Sequence, residues 1–466
     1  MGSTVASEDV KRFMPYLLAT AIFMQMLDST ILNTALPAIA EDLGESVLNM
    51  QSAIISYVLT LALFIPVSGY LADKFGTRKI FMLALILFSL GSLFCAMSQN
   101  LLQLDMARVF QGLGGALMTP VARLSMIKTY PKNEIVRAMN YAIIPALVGP
   151  IIGPLIGGYL VEWVSWHWIF LINIPMGVLG LLFSLKYMPD YKEEKPQLDL
   201  KGFFIFGSAS VLLSVGLELL GHPKNTSIIV VLLMAGFLML FLYFKHAQKA
   251  LKPLFPLHLF QVRTFRVGVI GNLATRIGIS SIPLLIPLLV QVAYGKSASL
   301  AGWIVAPMAL AAMFGKTMVV PVMNKFGYRK ILRFNTGALG ILIMTLAIPG
   351  LDANIIWFIP VMLFMGILNS IQFTAMNAIA ISNLRDYQNS SGNSLLTVNQ
   401  QLAIGFGIAI GMSVLNLYQN QFGSGEVEIH KAFRYTFITI GLLTFFTAFI
   451  FRRLHTKDGD NLKTED

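Results

Sequence analysis

The sequence predicts an all-α integral membrane protein of fourteen spans, built as two similarly oriented six-helix bundles plus two inserted helices. Three observations carry that prediction. Of 466 residues, 56% are hydrophobic and 12% charged, against about 45–50% and 25% in ordinary soluble domains, which points to lipid as the solvent. Apolar segments of about 20 residues, the length that crosses a bilayer as helix, recur fourteen times. Finally, a seven-residue loop sequence occurs twice, six positions matching at an offset of 251.

The spans are expected at 13–36, 50–71, 80–97, 102–121, 138–160, 166–188, 201–220, 226–244, 265–292, 299–322, 331–350, 354–381, 394–418 and 433–451. The first follows Lys11 and Arg12 and precedes Ala38-Ile-Ala40, a pattern shared with cleaved signal peptides. Its length and its thirteen successors argue for a retained span. The single Cys95 lies in a span, excluding an intramolecular disulfide and any multi-cysteine metal site. No metal or cofactor site is expected.

A formal charge of +11 would suit nucleic acid, but the placement of the basic residues argues against it. Counting alternate loops and tails puts 27 of the 34 Lys and Arg on the first side, 4 on the other and 3 within spans. That is a strong positive-inside pattern, so both termini are expected in the cytoplasm.

The repeated loop reads Lys74-Phe-Gly-Thr-Arg-Lys-Ile80 between spans 2 and 3, and Lys325-Phe-Gly-Tyr-Arg-Lys-Ile331 between spans 10 and 11. Both copies follow an even-numbered span, which implies parallel halves as in repeat-built transporters. The expected organisation is a first bundle over 1–190, an inserted pair and inner loop over 191–264, and a second bundle with a short tail over 265–466.

Four motifs resemble a known family. They are Leu27-Asp-Ser-Thr-Ile-Leu-Asn-Thr-Ala-Leu-Pro37 in span 1, Gly69-Tyr-Leu-Ala-Asp-Lys-Phe-Gly-Thr-Arg-Lys79 at loop 2–3, Arg108-Val-Phe-Gln-Gly112 in span 4, and Gly149-Pro-Ile-Ile-Gly-Pro-Leu-Ile-Gly-Gly158 in span 5. Together they resemble the fourteen-helix drug:proton antiporter branch of the major facilitator superfamily (MFS) over nearly the whole chain. One departure is Asn140, where the fifth-helix motif commonly opens with a further glycine. The resemblance implies the superfamily's fold, multidrug efflux in exchange for protons by alternating access, and a bacterial inner membrane. Membrane lipid, protons and a small-molecule substrate are the expected partners, and a monomer is plausible.

Asp28 is the sequence's main anomaly, because a charge at the bilayer centre costs about 2.5–3.5 kcal/mol on insertion scales. Burial favours its protonated form and a nearby cation its ionised form, the competition a proton carrier needs. Arg108 lies at matching depth from the outer end of its span, about 9 Å against about 12 Å at 1.5 Å per residue. The resemblance implies that helices 1 and 4 both line the cavity, which permits a contact. Asp105, one turn from Arg108, is a competing partner. The alternative reading of Asp28 is a structural carboxylate held by Ser29, Thr30 or a permanent ion pair, and Arg108 has the matching alternative of a fastener for helix 4.

Gly149, Gly153 and Gly157 recur every fourth residue with Gly158 and Pro154 among them, leaving a helix face bare enough for close approach. The resemblance implies that this face meets helices of the other half. Pro150 and Pro154 are expected to bend the helix. Asp73, Arg78 and Lys79 fall where the family latches its halves on the cytoplasmic side, although basic inner loops also serve topology; Asn324 replaces Asp73 in the second copy. In the second half Arg276 lies too deep to snorkel, whereas Lys316 can. Asn369, Gln372 and Asn377 in span 12 are candidate substrate hydrogen-bonders, with interhelical contacts as the alternative.

These cations leave the cavity not plainly acidic, so export of a specific anionic or zwitterionic metabolite, such as a siderophore, rivals multidrug efflux. A proton symporter, channel or non-transporting receptor is a further alternative. Gly315-Lys-Thr317 has Leu310 where a phosphate loop needs glycine and lies in a span, so no ATP-driven pump is expected. No Gly-x-Ser-x-Gly or His-Glu-x-x-His occurs, so the chain is not read as an enzyme.

Overall fold

Inside hydrocarbon no water is present to satisfy backbone N–H and C=O groups, so a chain this apolar must close its hydrogen bonds within helices. The computed structural model describes residues 8–193, 197–221 and 226–462, and contains helices and turns with no strand among those residues. One compact unit, Met1–Leu198, holds α1 (Glu8–Asp42), α2 (Gln51–Phe75), α3 (Thr77–Ala96), α4 (Leu101–Thr129), α5 (Lys132–Ala146), α6 (Val148–Trp163), α7 (Trp168–Leu171) and α8 (Asn173–Tyr187). The second, Asp199–Asp466, holds α9 (Leu200–Glu218), α10 (Thr226–Lys249), α11 (Arg263–Ile279), α12 (Ile282–Leu288), α13 (Ala298–Phe326), α14 (Tyr328–Thr345), α15 (Phe358–Ile381), α16 (Asp386–Phe422) and α17 (Glu426–Thr447).

Read with α5–α6, α7–α8 and α11–α12 as broken rods, these helices correspond to the fourteen spans. Among the described residues, twelve rods are long and apolar enough to cross a membrane by length and composition alone. The other two are α4, which carries Asp105, Arg108, Arg123 and Lys128, and α14, which opens on Arg329, Lys330 and Arg333.

A proline lies in the first turn of the helix that follows each of the three breaks. Proline has no N–H to give the carbonyl four residues earlier. Pro150, Pro175 and Pro283 thereby strip the carbonyls of Ala146, Leu171 and Ile279, the last residues of α5, α7 and α11. Span 5 is therefore interrupted at Leu147 instead of curving as one helix.

The repeated loop is the same corner in both units. Gly76 joins α2 to α3 with φ 106°, and Gly327 joins α13 to α14 with φ 75°, values that L side chains adopt rarely. Gly76 is constrained twice, since a Cβ there would also lie 2.1 Å from Asp190 Oδ1.

The expected inserted pair, α9 and α10, falls in the second unit. Ser413 Oγ on α16 donates to the carbonyl of Leu217 at 2.9 Å, fastening the end of α9. At its start, Asp199 caps α9 by accepting from Gly202 N at 2.8 Å, and it also accepts from Leu254 N at 3.1 Å and lies 2.8 Å from His246 Nε2. Partial burial alone would raise the Asp199 carboxyl, but these hydrogen bonds outweigh it and hold the group below its ordinary value. The cap is thus intact above the ordinary carboxylate range and is lost only as pH falls through the lowered value. Val231, Met234 and Phe237 on α10 are exposed, an outer face suited to lipid.

The glycine face of α6 packs against α1. The atoms that a Cβ would meet are Leu27 N at 3.2 Å from Gly149, Thr30 Oγ1 at 2.2 Å from Gly153 and Ile31 O at 2.5 Å from Gly157. The contact runs within the first unit, whereas the family resemblance implied a contact with the other half; the α6 backbone reaches α1 because no side chain intervenes. Substituting Gly157→Ala is expected to cost about 1–3 kcal/mol by overpacking, because the obstructing atom is backbone. By contrast Gly69→Ala, with nothing within 4 Å of its Cβ, should stay within about 0.5 kcal/mol. Thermal unfolding of the detergent-purified variants tests the pair, and equal losses would disprove the packing argument.

Candidate functional site

Asp28 sits mid-way along α1 and is 1% exposed; Arg108 on α4 is also 1% exposed. Arg108 Nη1 donates to Asp28 Oδ2 at 2.7 Å. Asp28 Oδ1 accepts from Gln111 Nε2 at 2.7 Å and from Asn173 Nδ2 of α8 at 3.2 Å. Arg108 uses a second donor on the Ala53 carbonyl of α2, at 3.0 Å, and shares Nη1 with Gln111 Oε1 at 2.7 Å. Its guanidinium carbon lies 4.2 Å from the centre of the Tyr57 ring, a cation–π contact strengthened by desolvation. Gln111 Nε2 also reaches Ser92 Oγ of α3 at 2.8 Å.

Both charges are thus removed from water, with both Asp28 oxygens and Arg108 Nε and Nη1 hydrogen-bonded, which offsets part of the desolvation cost of a buried pair. Asp105 accepts instead from Ser52 Oγ at 2.9 Å. Ser29 and Thr30 donate to main-chain carbonyls of Met26 and Leu27. Two buried polar atoms beside the pair, Tyr57 Oη and Asn173 Oδ1, have no partner among the described residues.

Glycines decide which helices can assemble here. A Cβ on Gly112 would lie 2.8 Å from Thr60 Cβ of α2, and one on Gly114 would lie 2.4 Å from Phe88 N of α3. α4 therefore needs glycine on two faces to bring Arg108 and Gln111 between α2 and α3. The α6 glycines contact Leu27, Thr30 and Ile31, the residues around Asp28 on α1; Pro154 and Gly158 are buried in the same helix, and Thr34 Oγ1 lies 3.3 Å from the Pro154 carbonyl.

At the basic-loop end of this unit, Asp73 pairs with Lys128 of α4 at 2.9 Å, and Lys128 also reaches Glu193 at 3.2 Å. Partial burial alone would lower the Lys128 ammonium, but the hydrogen bonds to Asp73 and Glu193 outweigh it and raise the group above its ordinary 10.5. The lysine's contribution to the clasp is therefore complete below that value and falls as pH rises through the raised one. The segment after α8 is laid across the α2–α3 corner: Thr77 N donates to Tyr191 O at 3.1 Å, Arg78 N to Asp190 Oδ1 at 3.2 Å, and Glu193 N to Asp73 O at 2.9 Å. Lys79 is exposed and Arg78 half-buried.

In the second unit Arg276 of α11 donates through Nε to Asn272 Oδ1 at 2.8 Å, and stacks 4.3 Å from the Phe373 ring centre. Asn377 Oδ1 on α15 accepts from Asn272 at 3.2 Å and from Gln400 of α16 at 2.9 Å. No carboxylate pairs with Arg276 among the described residues. Gln372 is 1% exposed and turned toward α14, donating to Thr336 Oγ1 at 2.7 Å and accepting from Asn335 at 2.9 Å. Asn369 is half-buried and Lys316 exposed.

Sequence reasoning passed over Gln111, Asn173 and Tyr57. Gln111 had a signal, lying one turn from Arg108 within the span 4 motif. Asn173 had a weaker one, as a carboxamide in an apolar span. Nothing in the sequence distinguished Tyr57 from its neighbours.

The chain matches the family model described as Major Facilitator Superfamily over residues 18–408 and 268–466. It is 41% identical over 453 residues to the "Probable transport protein HsrA" of Haemophilus influenzae, covering 97% of this chain and 98% of the relative. It is 42% identical over 469 residues to the "Putative multidrug resistance protein MdtD" of Escherichia coli, covering 97% of each; MdtD is also the individual relative that the sequence motifs resemble. Among solved structures, a peptide transporter POT in complex with sulfate superposes with a TM-score of 0.71 at 14% identity, covering 97% and 96% of the two chains. A bacterial homologue of the human lysosomal transporter Spinster, inward-facing and unoccupied, gives 0.67 at 14%, covering 96% and 97%. These two likenesses concern the fold alone. The fourteen-rod all-helical architecture and this agreement over the full chain show that the protein belongs to the major facilitator superfamily and is a multi-pass membrane transporter, not an enzyme.

Proposed function

We propose that the chain is a proton-coupled exporter of small amphiphilic compounds, with Asp28 as the proton site and Arg108 as the group that responds. The observation that carries this reading is the dry, hydrogen-bonded Asp28–Arg108 pair linking α1 to α4. Protonating Asp28 would leave Arg108 buried without its counter-charge, and breaking a buried pair costs about 3–5 kcal/mol. A swing from 1:99 to 99:1 between two conformations needs about 5.5 kcal/mol, so one proton on this carboxylate supplies most of a switch. Rotation of the Asn173 amide would turn its unpaired Oδ1 toward the new carboxyl O–H. Asp73, with Arg78 and Lys79, then serves as the cytoplasmic gate. Export against import is favoured by the MdtD relative's name and by the helix 1 and helix 5 motifs. A bacterial inner membrane with cytoplasmic termini is favoured by the basic loops and by the bacterial relatives.

A second reading rests on Arg276. A half-buried cation held by one amide and an aromatic ring, with no carboxylate partner among the described residues, suits an anionic or zwitterionic substrate, with Asn377 and Asn369 as further contacts and Gln372 holding α15 to α14.

The decisive experiment uses protein in liposomes with a trapped pH dye, challenged with cationic drugs and then anionic metabolites. Wild type should move protons when its substrate is added, and Asp28→Asn should lose at least about 90% of that movement, since general proton-transfer groups contribute about 10²–10⁴-fold. Full coupling in Asp28→Asn would end the proposal. A double-mutant cycle separates coupling from fastening: Asp28→Asn should lose about 3–5 kcal/mol of stability, and adding Arg108→Gln should restore most of it without restoring proton movement. For the second reading, Arg276→Gln should weaken anionic substrates about 10- to 150-fold, the worth of a charged hydrogen bond, and leave cationic ones unchanged; equal effects on both would remove it.

A further inference from the structure

We propose that the second unit carries a binding site for an anionic phospholipid, in the groove between the start of α14 and the end of α17. The groove has a volume of about 900 Å³. Arg329, Lys330, Arg333 and Arg452 line it, and among the described residues no Asp or Glu does. None of the four stands in an ion pair among the described residues. Arg329 and Arg333 are four residues apart and share one face of α14, and Arg452 enters from the short helical turn that follows α17. The first turn of α14 adds its own positive end, with no side chain capping it. Like charges gathered without a counter-ion repel one another, which is the field an anion relieves.

Apart from Thr456, the rest of the groove is apolar or glycine. Phe334 is 74% exposed and Phe449 44% exposed, and both line it. On membrane-crossing helices such side chains have acyl chains as their solvent. From Arg329 to Ile341, which also lines the groove, α14 rises about 18 Å at 1.5 Å per residue, close to the roughly 15 Å of one hydrocarbon leaflet. Cations at one end and an aromatic, aliphatic channel one leaflet long below them match a phosphodiester headgroup with its tail. A free phosphate would use the cations and leave the channel empty. Basic pockets between transmembrane helices are a general mode of anionic headgroup binding.

The test is native mass spectrometry of the full-length protein with phosphatidylglycerol, phosphatidylcholine, and phosphatidylglycerol plus excess inorganic phosphate. Wild type should retain phosphatidylglycerol at least about tenfold better than phosphatidylcholine, given roughly 1 kcal/mol per basic residue near a headgroup, and phosphate should not displace it. The variant Arg329→Gln/Arg333→Gln/Arg452→Gln should lose that preference. Because basic residues also set topology, a second variant keeps every charge. A Cβ on Gly337 would sit 3.7 Å from the Phe445 ring, so Gly337→Leu narrows the channel and should lower phosphatidylglycerol retention severalfold. Equal retention of the two lipids by wild type, displacement by phosphate, or unchanged retention in both variants would each overturn the proposal.

Discussion

The removal of one ion pair from water is the constraint around which the first unit is arranged. Stripping a carboxylate and a guanidinium of solvent costs several kcal/mol per ion, and donors and acceptors from four neighbouring helix positions offset it. Asp28 takes α1 to α4 through Arg108 and Gln111, and to α8 through Asn173. Arg108 reaches the α2 backbone at Ala53, and Gln111 reaches α3 at Ser92. Five helices are thereby held in register by one cluster of polar atoms. A single proton on the carboxylate would disturb all of those contacts together, because hydrogen bonds in a low-dielectric network depend on one another.

Close packing makes that cluster mechanically connected to its surroundings. Protein interiors behave as packed solids, so displacements are transmitted instead of absorbed. The α6 glycines bring that helix's backbone against Leu27 N, Ile31 O and the short side chain of Thr30 on α1, leaving little slack to buffer a movement of α1. The broken rods have the opposite character. Where Pro150, Pro175 and Pro283 leave a carbonyl without its helical donor, the rods can bend at little further cost.

The two units share a scaffold and differ in charge. The helix–glycine–helix corner is common to both, with Gly76 and Gly327 at positive φ. The ionic features are not. Asp73 anchors a clasp to Lys128 in the first unit, and Asn324 holds its place in the second. The first unit pairs its deep arginine with a carboxylate, while the second gives Arg276 one amide and an aromatic ring. An internally duplicated architecture can thus hold a carboxylate-paired arginine in one half and, among the described residues, an arginine with no carboxylate partner in the other.

Composition and spacing by themselves determined the solvent, the number of spans and the internal repeat, because each depends only on residue counts along the chain. Asp28 and Arg108 were also legible, since a charge within an apolar run is conspicuous wherever it points. Contact between them was beyond the sequence: depth along two helices does not say which faces meet. That Asp105 turns to Ser52, that the α6 glycines meet α1, and that Gln372 serves α14 were decided by helix rotation. Rotation is fixed by packing among segments far apart in sequence. The basic groove belongs to the same class, because Arg329 and Arg452 are 123 positions apart and only the pairing of α14 with α17 makes them neighbours.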